Sequence, residues 1–350
     1  MKILVVKVSA LGDVVHALPV LPYIKSVAPA AEIDWLVEEA FAPLLEGHPL
    51  LRNVHRLQTK LWRKSGVAAM LRGVREIGRL LRRERYDLVL DLQGNSKSAL
   101  LTLLSRAPLR YGFDRAAVRE WPNLVASNRR VALNESDYHI SDRSLRIARA
   151  ALPGGDAVPA AGPLPVSPAA AASIAAELER SGLAGQPLAV LHYGTTWKTK
   201  LWPLENWRQL TRFLLRETDL RPILTWGNDE ERRAAEAMVE ASGGKATIWP
   251  RGTLPELLAL LARADLVVGG DTGPVHMAAA LGIPTVSLYR VTDARRNGPR
   301  GEKHIRLQSP LDCSPCLRKG CERDAECGRS IAVEEVFRAI GARWRKEADE

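Results

Sequence analysis

Residues 265 to 289, DLVVGGDTGPVHMAAALGIPTVSLY, constrain the fold of this chain more than any other stretch. Leu266-Val267-Val268 is an apolar run of the kind a buried parallel strand shows, and it ends in Gly269-Gly270-Asp271-Thr272-Gly273. Pro274 suits the first turn of a helix, Val275 to Leu281 reads as that helix, and Thr285 to Leu288 reads as the next strand. A strand, glycine-rich turn, helix and strand in this order belong to a parallel α/β sheet. The turn aims backbone N–H groups and the positive end of a helix dipole at whatever lies above the carboxyl edge, which suits a phosphate. A tight turn that binds nothing has the same spacing. Asp271, Thr272 and His276 favour a ligand because they crowd polar groups at the mouth of an apolar unit, whereas His276 alone would read as structural.

The same alternation fills the chain. Strands are expected at Lys2–Val8, Glu32–Val37, Val54–Leu57, Tyr86–Leu92 and Leu109–Phe113, with helices between them and a closing helix at His139–Ala151. The first strand leaves through Ser9-Ala10-Leu11-Gly12-Asp13 into one helix from about Asp13 to Val27. Asp13 is therefore either its N-cap or a carboxylate set where open α/β sheets place their ligands. Asp91-Leu92-Gln93-Gly94 ends a strand at the same edge.

Composition then shifts. Pro153-Gly154-Gly155 and the Ala/Pro-rich run from Val158 to Pro168 read as a linker, followed by a helix near Ala169 to Arg180. The pattern restarts at Leu188–Gly194, with strands at Arg221–Trp226, Ala246–Ile248, Asp265–Val268 and Thr285–Leu288. Helices are expected at Leu204–Glu217, Asp229–Ala241, Leu254–Arg263 and Pro274–Leu281. The organisation is thus a Rossmann-like domain over 1–153, a linker and connecting helix over 154–185, a second Rossmann-like domain over 186–332, and a C-terminal helix within 333–350. That helix, Val333 to Lys346, is amphipathic and is expected to pack across the joint between domains. The layout fits an α/β fold of GT-B architecture, two doubly wound domains facing across a cleft. A single dinucleotide-binding domain fits less well, because no G-x-G-x-x-G follows the first strand.

No run of about 18 apolar residues occurs, so no membrane span is expected. The N-terminus lacks the apolar core and cleavage site of a signal peptide, which predicts a cytoplasmic protein. Between Arg52 and Arg85 eleven Lys or Arg face only Glu76 and Glu84. Such a stripe fits an anionic partner, namely a phosphorylated saccharide, an anionic lipid surface or nucleic acid, or else a solvated helix face. Trp62 is the only aromatic side chain available for stacking there, so nucleic acid is not expected.

Lys7 to His16 (KVSALGDVVH), Thr195 to Pro203 (TTWKTKLWP), Trp226-Gly227 with Glu230-Glu231-Arg232, and Gly270-Asp271-Thr272-Gly273 with His276 resemble the ADP-heptose:lipopolysaccharide heptosyltransferases, glycosyltransferase family 9. Asp34-Trp35-Leu36-Val37-Glu38-Glu39 and Trp62-Arg63-Lys64 are similar to the members that add the first core heptose. The resemblance, over residues 1 to 310, implies inverting transfer of heptose from ADP-heptose to a Kdo sugar of Kdo2-lipid A or a related lipopolysaccharide precursor. The enzyme would work at the inner face of the inner membrane.

The roles the resemblance implies agree with the chemistry of the side chains. Asp13 would be the base on the acceptor hydroxyl, useful mainly through orientation and late proton uptake. Lys200 and the Gly270–Gly273 turn would stabilise the departing ADP. Thr196 would touch the diphosphate, Thr195 would belong to the donor site, Asp271 would lie near the donor heptose and Glu230 or Glu231 at the ribose hydroxyls. Trp226, Gly227, Thr272, Gly273 and His276 would complete the donor site. Arg63, Lys64, Arg119 and Arg143, with Ser9, Gly12 and Gln93, would meet the acidic acceptor. No metal or other cofactor is expected to take part in catalysis. Two alternatives remain: a family member with another acceptor, the second core heptose or a protein, and a nucleotide- or polyanion-binding module without turnover.

One feature departs from the pattern. Cys313, Cys316, Cys321 and Cys327 are the chain's only cysteines and fall within fifteen residues, beside Arg318, Lys319 and Arg323. In a reducing compartment this spacing reads as a structural zinc or iron site more than as disulfides, with four unliganded thiols as the alternative.

Overall fold

A computed structural model describes residues 1–155 and 164–344, with no side-chain description beyond 341. The run from Val158 therefore lies largely outside the described residues, as do Arg345 and Lys346. The chain divides into two compact units, Met1–Pro165 and Val166–Glu350.

In the first unit β1 (Lys2–Val6), β2 (Glu32–Glu38), β3 (Asn53–Leu57), β4 (Leu88–Asp91), β5 (Leu109–Phe113) and β6 (Arg129–Val131) form one sheet in the order β3-β2-β1-β4-β5-β6. All its pairings are parallel. Its helices are α1 (Leu11–Ala17), α2 (Val20–Val27), α3 (Thr59–Lys64), α4 (Val67–Glu84), α5 (Ser96–Ser105) and α6 (Ile140–Ala151). Ile3 to Val6 have no exposed surface, the mark of a strand covered on both faces. Lys2 pairs with Glu32 at the start of β2, and Ile3 with Leu88 on the other side.

The second unit repeats the plan. β7 (Leu188–His192), β8 (Arg221–Thr225), β9 (Thr247–Ile248), β10 (Leu266–Gly270), β11 (Thr285–Tyr289) and β12 (His304–Gln308) lie in the order β12-β11-β10-β7-β8-β9, again all parallel. Its helices are α7 (Pro168–Arg180), α8 (Leu204–Glu217), α9 (Asp229–Ala241), α10 (Leu254–Arg263), α11 (Gly273–Ala280), α12 (Ala294–Asn297), α13 (Asp324–Arg329) and α14 (Val333–Trp344). Trp202 and Trp207 meet edge to face at 5.3 Å inside a core that includes Leu210, Leu224 and Val268. Each such buried large side chain contributes about 1.5–3 kcal/mol.

Both sheets reverse direction beside their first strand, between β1 and β4 and between β7 and β10. Crossovers diverge there, leaving a crevice at the carboxyl ends of the strands, the usual ligand position in such sheets.

Several local expectations are corrected. The helix expected from Asp13 to Val27 is two helices, because Pro19 has no N–H to continue the first and instead opens the second. Asp13 is not the N-cap. Ala10 holds that position, and Asp13, in the first turn, accepts the Ala10 N–H at 3.2 Å. Strands β6 and β12 were not expected. Both are sheet edges, and Arg-Arg-Val in β6 carries no apolar run. Within the second unit helix α14 packs on α8 and β11, with Val336 and Ile340 buried and Phe337 5.4 Å from Phe213.

Candidate active site

In the first unit, chemistry gathers where β1 and β4 part. Gln93 leaves β4 and turns back, so that its Oε1 accepts the N–H groups of Val8 at 2.9 Å and Ser9 at 3.1 Å. This ties down the backbone at Val8 and Ser9. Beneath it Lys7 is buried and donates to Leu92 O at 2.9 Å. Burial lowers the Lys7 pKa; Asp13 and Asp91 oppose that shift, and Arg119 and Arg143 add to it. Lys7, Asp13, Asp91, Arg119 and Arg143 therefore share one electrostatic neighbourhood. Asp91 is fully buried and accepts the N–H groups of Gln93 and Gly94, both at 3.0 Å, and Asn123 Nδ2 at 2.6 Å. Its pKa is raised by burial despite those donors. Asp91 thus shapes the turn, while the exposed Arg119 is held through its N–H on Gly94 O. Arg143 on α6 reaches over the Phe113 ring and donates to Ala117 O at 3.1 Å.

Arg63 and Lys64 stand elsewhere in the unit, exposed on α3 beyond the carboxyl end of β3. The start of α3 is anchored by Glu38 at the end of β2, which accepts from Thr59 and from Lys97 at 2.8 Å. Glu38, Thr59 and Lys97 are polar groups at this edge that the sequence did not single out for a role.

In the second unit the glycine-rich turn lies at the end of β10, as expected. A side chain at Gly269 would meet Val275 Cγ2 at 2.7 Å, so only glycine lets α11 close down on the strand. Asp271 is buried and accepts Lys200 Nζ at 2.7 Å on one oxygen, while His276 Nε2 lies 3.1 Å from the other. Asn297 also reaches it at 3.4 Å. Burial alone would push this carboxyl up; His276 and the Lys200 ammonium hold it well below the usual carboxylate range. Thr272 precedes α11 without capping it through its side chain, and Gly273 opens the helix.

Thr195, half-buried, and Thr196, exposed, lie between β7 and Lys200. At the β7 exit Gly194 is packed by Glu231, whose carboxyl carbon lies 2.3 Å from where a Cβ would stand. Glu231 on α9 accepts the Gly227 N–H at 2.6 Å and Asn228 Nδ2 at 2.7 Å. Glu230 is exposed, and both carboxylates act on the Tyr193 hydroxyl, whose pKa is raised first by burial and then by their charge. Trp226 donates to Trp249 O at 3.0 Å, with Arg232 and Arg251 over its ring. His192, at the end of β7, is pushed down to about 4 by burial and lies 2.9 Å from Thr225 Oγ1.

Trp197 and Lys319, given no role from the sequence, also join this edge. Lys319 lies 5.1 Å from the Trp197 ring centre, and Lys200 lies 4.9 Å from the same ring. The segment carrying Lys319 is tied down by Thr199, which donates to Arg318 O at 2.7 Å, and by the buried Arg290, which donates to Leu201 O and to Asp324. No spacing relates positions 197 and 319, so only the basic character of the cysteine-rich segment pointed there.

The expected metal site at Cys313, Cys316, Cys321 and Cys327 is not formed. Among the described residues no group of three or more His, Cys, Asp or Glu is arranged to hold a metal ion. The thiols differ in burial. Cys327 is buried against Arg290 O and Ser309 Oγ, both at 3.9 Å, whereas Cys313 is exposed beside Arg323. All four are free.

The sequence profile described as Glycosyltransferase family 9 (heptosyltransferase) matches residues 74–325. Lipopolysaccharide heptosyltransferase 1 of Pseudomonas aeruginosa is 36% identical over 328 residues, 92% of this chain and 87% of that protein. Lipopolysaccharide heptosyltransferase 1 of Escherichia coli is 30% identical over 313 residues, 89% of this chain and 95% of that protein. The solved structure of E. coli heptosyltransferase WaaC with ADP-2-deoxy-2-fluoro heptose superposes with a TM-score of 0.77 at 26% identity, covering 98% of this chain and 99% of that one.

Proposed function

The chain belongs to glycosyltransferase family 9, and from that premise we propose that it moves L-glycero-D-manno-heptose, with inversion, from ADP-heptose to Kdo of Kdo2-lipid A. The observation that carries this reading is the carboxyl edge of β7 and β10, where Lys200 is held by Asp271 beside the opening of α11. A cation and a row of helix N–H groups at a topological switch point suit a diphosphate, and the chain is 36% identical to a protein named lipopolysaccharide heptosyltransferase 1.

The donor half works by charge. As the bond from the anomeric carbon to the diphosphate breaks, negative charge grows on ADP, and Lys200 with the first N–H groups of α11 stabilises it. Glu231, or the neighbouring Glu230, meets the ribose hydroxyls beside Gly194 and Gly227.

The acceptor half works by position. Asp13, held through the Ala10 N–H, orients the Kdo hydroxyl and takes its proton as the new bond forms on the face opposite the departing ADP. Arg119, Arg143, Arg63 and Lys64 meet the Kdo carboxylates and lipid phosphates. The enzyme acts from the cytoplasmic side on an acceptor anchored in the inner membrane, and the reaction uses no metal.

The test is a mass-spectrometric assay of purified protein with ADP-heptose and Kdo2-lipid A. One heptose is added to the acceptor, and Asp13→Ala lowers kcat by about 10²- to 10⁴-fold while ADP affinity stays within twofold. Full turnover in that variant removes Asp13 from the mechanism, and no product from the native protein with this acceptor removes the reading itself.

A further inference from the structure

Apolar surface is unevenly spread over the chain. Among the described residues every exposed large apolar side chain except Leu317 belongs to the first unit. Most of these sit on elements that pack one against the next: α3 on α4, α4 on α5, and α5 on the short turn Trp121–Val125. Val67 is 69% exposed, and Leu71, one turn further along α4, is 56% exposed. Leu61 on α3, Leu100 and Leu103 on α5, and Trp121 and Val125 extend the set. Single exposed apolar residues are ordinary, but a run of them across four packed elements marks an interaction surface.

The charges around them identify the partner. Apart from Arg63 and Lys64, which the reading above gives to the acceptor, Lys60, Arg72 and Arg75 are exposed on α3 and the first half of α4, and among the described residues none of the three forms an ion pair with a carboxylate. Arg75 lies one turn beyond Leu71, so apolar and cationic groups alternate along the helix at the spacing that puts them side by side. A second copy of this chain would bring one unpaired cationic face against another. A protein partner would meet lysines and arginines throughout the area where interfaces are depleted of charge. A bilayer rich in anionic lipid answers both features, with phosphates for the cations and the acyl boundary for the Val, Leu and Trp side chains. No helix among the described residues is long and apolar enough to cross a membrane, so such contact lies on the surface.

We propose that α3, α4, α5 and the Trp121–Val125 turn form a face that docks on an anionic bilayer by inserting Val67, Leu71 and Trp121 beneath the phosphates. The idea rests on the reading of a lipid-anchored acceptor. It adds that attachment has an apolar component carried by residues that touch neither substrate.

The experiment compares the native protein with the double variant Val67→Asp, Leu71→Asp and with Trp121→Ala. Sedimentation is measured with vesicles of phosphatidylethanolamine and phosphatidylglycerol and with neutral phosphatidylcholine vesicles. Heptose transfer is measured to a deacylated, water-soluble acceptor. The native protein sediments with the anionic vesicles only, the double variant loses about tenfold or more in partitioning, Trp121→Ala loses less, and transfer to the soluble acceptor stays within twofold for all. Equal sedimentation of the double variant and the native protein overturns the proposal, as does native protein that ignores anionic vesicles. If the native protein docks but transfers no heptose, the proposed reaction fails and the docking face stands.

Discussion

At the scale of single residues, Lys200 and Asp271 carry opposite effects on the same ligand. Asp271 is kept ionised by Lys200 and His276, so part of the Lys200 charge is already answered before ADP arrives. Replacing Lys200 by Ala removes the cation, and ADP affinity is expected to fall by about tenfold or more. Replacing Asp271 by Asn instead frees the cation, so ADP binds as well or better, while kcat falls by about 10- to 100-fold because the ammonium is no longer held in position. Calorimetric titration with ADP beside a turnover assay reads both; ADP affinity lost in both variants would reduce the pair to a structural strut. These two residues were legible in the sequence because each stands in a short motif beside a strand end. Lys7, Glu38 and Lys97 were not, since their significance lies in neighbours from distant strands.

At the scale of elements, α3 and α4 show where packing overrides propensity. Gly73 is buried within α4, and a Cβ there would stand 2.3 Å from Trp62 Cε2. Helix propensity favours Ala over Gly by about 1 kcal/mol. Displacing a packed indole costs about 1–3 kcal/mol. Gly73→Ala is therefore expected to lower thermal stability, and to raise it once Trp62→Ala is also present, which a set of four melting curves checks. A rise in the single variant would show that the indole moves aside at no cost. Helices α8, α9 and α10 could be read with their full bounds because an apolar stripe and start and stop signals agreed. The division at Pro19 and the edge strands β6 and β12 could not, because a proline about two turns inside a periodic pattern and a polar edge strand leave the hydrophobic period unchanged. The cysteine cluster misled for a related reason: proximity in sequence says nothing about whether Arg290 and Ser309 draw one thiol inward.

At the scale of the whole molecule, buried titratable groups set the dependence of stability on acidity. Burial lowers the pKa of His48, His192 and His304 below the ordinary histidine value of 6.5, and His192 falls to about 4. Between those two values the unfolded chain binds a proton at residue 192 that the folded chain refuses, so stability falls as pH falls through this window and levels off below it. The shift from 6.5 to about 4 corresponds to at most about 3 kcal/mol for this residue. Asp34 adds a second loss. Burial opposes its ionisation, but His55, Arg52 and Tyr86 outweigh that and hold it well below the carboxylate range, so its contribution disappears only on going below about pH 4. Asp91 acts the other way. Its raised pKa penalises the fold at neutral pH and relieves it in acid, which blunts the loss in the first unit. Burial also lowers the pKa of Lys7, so its protonation favours the unfolded chain and works in the same direction as that of the buried histidines. Urea midpoints measured from pH 7 to pH 4 should therefore decline for the native protein and decline less steeply for His192→Gln, whatever that substitution does to the midpoint at pH 7. An unchanged slope in the variant would mean that the proton is taken up elsewhere, with His48 and His304 the remaining candidates.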